Sequence, residues 1–172
     1  MIEAVIDSVT MNSAVTPPKP SRKSARLMKV PRNPLEDPIK RRKLKLALDA
    51  SKGLQSEWER TCGQPAIRAF VIYCEQYDGI HLIKTPVSPG SAAFKQLRFL
   101  GFGADTVDKL ILKIALATKD RVIVSDESDF WDPKKPNDRQ IRGQKNAPVA
   151  RYCRENLRVT VFLLRMLIVR LD

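Results

Sequence analysis

Two hydrophobic periods alternate along the 172-residue chain. Residues 2–6 form a short apolar run that stops at Asp7, the pattern of a buried strand. Residues 122–124, Val-Ile-Val, predict another strand, and residues 80–83 and 157–161 two more. Helical spacing is predicted over 39–50, where Leu44, Leu46, Ala47 and Leu48 precede the turn signal Gly53. A helix starts around Ser56 and stops near Gly63, and a second covers 66–77, ended by Asp78-Gly79. Residues 92–100 are helical until Gly101 and Gly103 break them. Asp105 suits the N-cap of a helix running to Thr118, with Val107, Leu110, Ile111, Ile114 and Ala115 on one face. Residues 162–171 close the chain as a helix. Strands alternating with amphipathic helices predict an α/β fold, a three-layer α/β/α sandwich around a central, mostly parallel sheet. The length favours a single domain over 1–172.

Composition narrows the class. A hydrophobic fraction of 43% excludes wholesale disorder, and a charged fraction of 29% excludes a polytopic membrane protein. The longest apolar stretch, residues 159–169, is too short to span a bilayer and contains Arg165. The first residues carry Glu3 and Asp7 with no basic flank, so no signal peptide is expected. Cys62, Cys74 and Cys153 are odd in number and scattered, as reduced thiols in a reducing cytosol are. The expectation is a soluble, cytoplasmic protein without a membrane partner; a homo-oligomer is left open.

The net charge of +12 points to a polyanion but does not choose between nucleic acid and an anionic surface. Its distribution says more. Residues 19–45 carry eleven Lys and Arg, including Arg41, Arg42 and Lys43, against Glu36 and Asp37 alone. The last 41 residues are basic as well, with Arg139, Arg142 and Lys145 in a polar stretch. The middle of the chain is slightly acidic. Prolines 17, 18, 20, 31, 34 and 38 fall in the first basic segment, so residues 16–38 are expected to form a basic, proline-rich surface loop. The basic residues named above are candidates to hold a nucleic-acid backbone, and a solvated surface is the alternative.

The carboxylates lie where an α/β fold places ligands. Asp7 follows the first strand, and Ser125-Asp126-Glu127-Ser128-Asp129 follows Val122–Val124. Crevices in open α/β sheets lie outside the carboxyl ends of the strands. Asp108 sits in the first turn of its helix and Glu57 early in another, whereas Asp105 reads as a cap. A cluster of carboxylates repels itself unless a cation neutralises it, and hard oxygen ligands suit Mg²⁺ or Mn²⁺. Such an ion supports hydrolysis of phosphodiesters. Any one of these acids alone is more often a turn or cap residue. His81 is the only histidine and no Cys or His stands at a zinc-ligand spacing, so a zinc site is not expected. Neither a nucleophile elbow nor a phosphate-binding glycine loop occurs. Trp58 and Trp131 read as packing residues, with base stacking open for Phe130-Trp131.

Three segments resemble the PIN-domain nucleases, the fold of toxin ribonucleases in bacterial toxin–antitoxin pairs. They are Ile2-Glu3-Ala4-Val5-Ile6-Asp7, the helix opening at Asp108-Lys109-Leu110-Ile111, and Val122-Ile123-Val124-Ser125-Asp126-Glu127-Ser128-Asp129-Phe130. The resemblance covers nearly the whole chain through short motifs. It implies that Asp7, Glu57, Asp108 and Asp126 ligate one or two divalent ions, with Glu59 the second choice for the helical acid. Asp129 would be an outer ligand, and Ser125 would orient a ligand or the attacking water. The implied activity is Mg²⁺- or Mn²⁺-dependent endoribonuclease action on single-stranded RNA, in toxin members silenced by an antitoxin protein. The alternative is a nucleic-acid-binding or regulatory protein that keeps the fold without turnover. Two features differ from the family: Ser8 is followed by Val9 where an Asn is common, and the 16–38 insertion is longer than in compact toxins.

Overall fold

A computed structural model of the protein describes residues 1–16, 33–103 and 105–172. Five short strands form one all-parallel sheet: β1 (Ile2–Ile6), β2 (Leu44–Asp49), β3 (Ile80–Ile83), β4 (Val122–Val124) and β5 (Thr160–Phe162), in the order β3-β2-β1-β4-β5. Helices α1 (Ser8–Val15), α2 (Glu36–Lys40), α3 (Gly53–Cys62), α4 (Gln64–Gln76), α5 (Ser91–Phe99), α6 (Thr106–Ala117), α7 (Pro148–Tyr152) and α8 (Leu164–Leu171) complete a three-layer α/β/α sandwich. Ala4 pairs with Leu46 on one side and Val122 on the other, which fixes the register of the central three strands. A parallel sheet must be covered on both faces, and Ala4, Val5, Ile6, Ile123 and Val124 are fully buried accordingly. Among the described residues no helix is long and apolar enough to cross a membrane.

The chain steps outward from β1 to β2 to β3, then returns past β1 to form β4 and β5. That reversal places a topological switch point between β1 and β4, and the crevice of an open α/β sheet forms there. Parallel crossovers are right-handed as a rule, so a reversal of direction moves the connections to the other face of a sheet.

The helix expected over 39–50 is instead the short α2 followed by strand β2. Lys, Leu and Ala favour helix by propensity. Leu44, Leu46 and Leu48 nevertheless recur every second residue, and all three are buried between β1 and β3. Burial in the middle of the sheet outweighs a propensity difference of a few tenths of a kcal/mol per residue. Lys45 sends its ammonium out to Asp78, 2.9 Å away. A helix not foreseen, α1, begins at once after β1, because Asp7 turns the chain and Ser8, Thr10, Met11 and Ala14 are buried by it. The strand expected over 157–161 is displaced to Thr160–Phe162, behind a wide helical turn, Cys153–Leu157, that follows α7. Of the proline-rich loop expected over 16–38, residues 17–32 lie outside the described residues.

Two buried indoles fix the carboxyl ends of the central strands. Trp58 on α3 donates its Nε1–H to the carbonyl of Ile6 at 3.1 Å, and Trp131 donates to the carbonyl of Ser125 at 2.9 Å. Both rings are buried, so each bond satisfies a carbonyl that water cannot reach. Trp58→Phe keeps most of the volume and orphans the Ile6 carbonyl. In urea titrations it is expected to lower the unfolding free energy by about 1–3 kcal/mol. Leu46→Ala is expected to cost about 2–5 kcal/mol. A Leu46→Ala loss below about 0.5 kcal/mol would contradict a central strand at this position.

Candidate active site

Asp7 occupies the last position before α1, with its backbone N–H donating to the carbonyl of Val124 at 2.9 Å. Its carboxylate is buried between β1 and β4. There it accepts a hydrogen bond from Ser125 Oγ at 3.0 Å. Burial raises its pKa from 3.8 to about 6 despite that bond, and the nearby Asp129 charge adds to the rise. Asp108, also buried, stands in the first turn of α6. Burial, then the charges of Asp129, Asp7, Asp105 and Glu127, push it to about 7. Glu127 is pushed to about 7 by burial, Asp7 and Asp129. Asp129 is raised by burial and by Asp105. Carboxylates from two strand ends, one helix and one turn thus lie in one another's neighbourhood at the switch point, with Asp129 bearing on Asp7, Asp108 and Glu127.

Arg142 is the cation that acts on this group, lowering both Glu127 and Asp129. Its guanidinium is held by backbone carbonyls, Nη1 to Asp126 at 3.0 Å and Nη2 to Pro136 at 2.9 Å. Among the described residues its buried Nε has no hydrogen-bond partner. Asp105 caps α6 by accepting from the Val107 N–H at 2.9 Å, as its sequence position predicts.

Not every sequence candidate joins the cluster. The Asp126 carboxylate turns the other way and accepts from the backbone N–H of Leu164 at 3.2 Å, at the start of α8. The extended chain after β4 alternates sides. Ser125 therefore faces Asp7, Asp126 faces α8, and the Glu127 N–H returns to Ser125 Oγ at 3.2 Å. Thr10 holds this turn by accepting from the Asp126 N–H at 2.8 Å. Glu57 makes a two-pronged bond to Arg60, at 2.9 and 2.6 Å, and accepts from the Thr61 hydroxyl. Glu59 lies beside Gln55 and Arg68. Glu127 was not singled out by sequence, although its place two residues after Ser125 in an extended segment carried the signal. Asp49, buried at the end of β2, was missed too. Burial would raise its pKa, but Ser51 and the N–H groups of Leu54 and Gly53 hold it below the usual range, and it caps α3.

The basic candidates separate by location. Arg142 adjoins the carboxylates, while Arg139 and Lys145 are exposed on the same polar segment. Arg41, Arg42 and Lys43 immediately precede β2, and the Lys43 carbonyl accepts from the Ile2 N–H at the start of β1. They therefore lie at the amino-terminal rim of the sheet, a strand length of about 16 Å from the carboxylate end. Arg41 pairs there with Asp37, and the Lys43 ammonium bonds the carbonyl of Asp172.

Among the described residues no group of three or more His, Cys, Asp or Glu side chains is arranged to hold a metal ion as it stands. The donors at the switch point are all carboxylate oxygens. That chemistry fits a hydrated Mg²⁺ or Mn²⁺, which takes one or two carboxylates directly and keeps several waters. Comparison of the chain with protein-family models, with curated proteins and with solved structures returns no match.

The raised acids set a sign for stability. Asp7, Asp108 and Glu127 bind protons more tightly folded than unfolded. Their contribution is complete below the ordinary carboxyl pKa of about 4 and is lost as pH rises through about 6–7. In chelator, Tm is expected to fall between pH 5 and pH 8. Asp108→Asn, which deletes the most crowded charge, is expected to raise Tm at pH 8 by about 3 °C or more and to shrink the fall. Equal Tm values for wild type and variant at pH 8 would refute the mutual repulsion.

Proposed function

We propose that this chain is a divalent-metal-dependent nuclease of PIN-like fold that hydrolyses phosphodiester bonds in single-stranded RNA. The observation that carries the reading is the burial of Asp7 between β1 and β4 and of Asp108 in the first turn of α6, with Glu127 and Asp129 in the turn after β4. Half-buried and buried carboxylates gathered at one end of a sheet are destabilised by burial and by like charge unless a cation joins them. These four residues would hold Mg²⁺ or Mn²⁺. When bound, such an ion supplies a water ionised near neutral pH and stabilises charge on the phosphate.

The protein groups have separate tasks. Ser125 fixes the orientation of Asp7 through its hydroxyl, and Trp58 and Trp131 hold the strand ends from which Asp7 and the Ser125–Asp129 turn project. Arg142, whose charge acts on Glu127 and Asp129, would stand beside the acids as a positive charge that favours a phosphate there. In the reaction, water adds to phosphorus, the bond to the leaving ester oxygen breaks, and a proton from the water ends on that oxygen. Asp126 serves the fold by accepting from the Leu164 N–H at the start of α8, and Glu57 pairs with Arg60 on α3.

Incubation of the purified protein with single-stranded RNA and Mg²⁺ or Mn²⁺ is expected to give cleavage that chelator stops. Asp7→Asn and Asp108→Asn are each expected to lower the rate about 10²–10³-fold. Asp126→Asn, whose amide oxygen still accepts from Leu164, is expected to stay within about tenfold of wild type. Cleavage that persists in chelator, or that survives both Asp7→Asn and Asp108→Asn, would sink the proposal. RNA binding without turnover in either metal would instead support the non-catalytic reading, which the local engagement of Glu57 and Asp126 favours.

A further inference from the structure

A groove runs between α5 and α6 on the surface. Its volume is about 410 Å³, and Ser91, Phe94, Lys95, Arg98, Lys109 and Lys113 line it. A second depression, lined by Arg98, Gly101, Phe102, Gly103 and Lys109, shares two of those cations and continues the path toward the start of α6. Lys109 directly follows Asp108. The path therefore ends at the first turn of the helix that carries one of the four acids.

The charge arrangement is costly for a purely structural surface. Lys109 and Lys113 are one helical turn apart on α6, and Lys95 and Arg98 are three apart on α5, so like charges are neighbours within and across the two helices. No carboxylate lines either depression. Among the described residues none of the four cations takes part in an ion pair. At the end of α5 the ring of Phe99 is 71% exposed, with the Lys134 ammonium 4.9 Å from its centre. Phe94 adds apolar surface within the groove. Unpaired cations spaced along a groove, with an exposed aromatic ring beside them, suit a backbone of phosphates with unstacked bases.

We propose that the α5–α6 groove, through Lys95, Arg98, Lys109 and Lys113, is the track that holds single-stranded nucleic acid and leads it to the carboxylate cluster. The assignment rests on the nuclease reading for its direction, but the binding itself does not require turnover. It also moves the grip away from Arg41, Arg42 and Lys43, which lie at the opposite rim of the sheet.

The test measures binding of a fluorescein-labelled single-stranded RNA by anisotropy, in chelator, over a range of salt. Lys95→Gln/Lys113→Gln is expected to weaken binding about tenfold or more at low salt. It is also expected to reduce the slope of log K against log salt by about 1.4, since each lost phosphate contact on a single strand removes about 0.7. Arg41→Gln/Arg42→Gln is expected to leave affinity and slope within twofold of wild type. The single strand is expected to bind more tightly than a duplex of the same sequence. Unchanged binding by the groove variant, an equal loss in the rim variant, a preference for the duplex, or no binding by wild type would each overturn the proposal. Groove-dependent binding without cleavage in any metal would leave this inference standing while the nuclease reading fails. Metal-dependent cleavage with groove-independent binding would do the reverse.

Discussion

The carboxyl end of the sheet is organised around one buried carboxylate that has no ion-pair partner among the described residues. Asp7 sits between β1 and β4 with a serine hydroxyl as its side-chain support from across the switch point. A buried carboxylate of that kind disfavours ionisation, and three more acids brought to the same crevice disfavour it further. The local geometry persists because the groups around it are fixed independently. The Asp7 N–H is part of the sheet, and the two strand-end carbonyls are capped by indoles. Deleting those supports would release the repulsion that the fold holds in check.

The same turn after β4 serves two ends. Its alternating backbone sends Ser125 and Glu127 toward Asp7 and sends Asp126 toward the start of α8. One acid in the segment thus closes the fold while its neighbours build the site. Arg142 ties the two together, since its guanidinium binds the Asp126 carbonyl while its charge acts on Glu127 and Asp129. The polar segment after Trp131 is therefore part of the site's electrostatics rather than a solvated connection.

Charge around the molecule divides in a related way. The basic residues at the amino-terminal rim are partly satisfied by Asp37 and by the end of the chain. Among the described residues those between α5 and α6 take part in no ion pair.

By itself the sequence determined the α/β layering, the strands at both ends of the Asp7–Val124 axis, the Asp105-capped helix and three of the clustered acids, Asp7, Asp108 and Asp129. These are local properties: β-branched runs, a capping residue and acids at element ends are written within a few residues of one another. Tertiary structure decided the rest. Residues 44–49 became a strand because the middle of the sheet rewarded the burial of Leu44, Leu46 and Leu48 over their helical propensity. Glu127 joined the site in place of Asp126 because the side on which a side chain emerges depends on where the strand ends, which no spacing of acids records. Likewise, the cations that border the site were chosen by topology. The order β3-β2-β1-β4-β5 brings α6, with Asp108 and Lys109, back over the central strands and leaves Arg41–Lys43 a full strand length away.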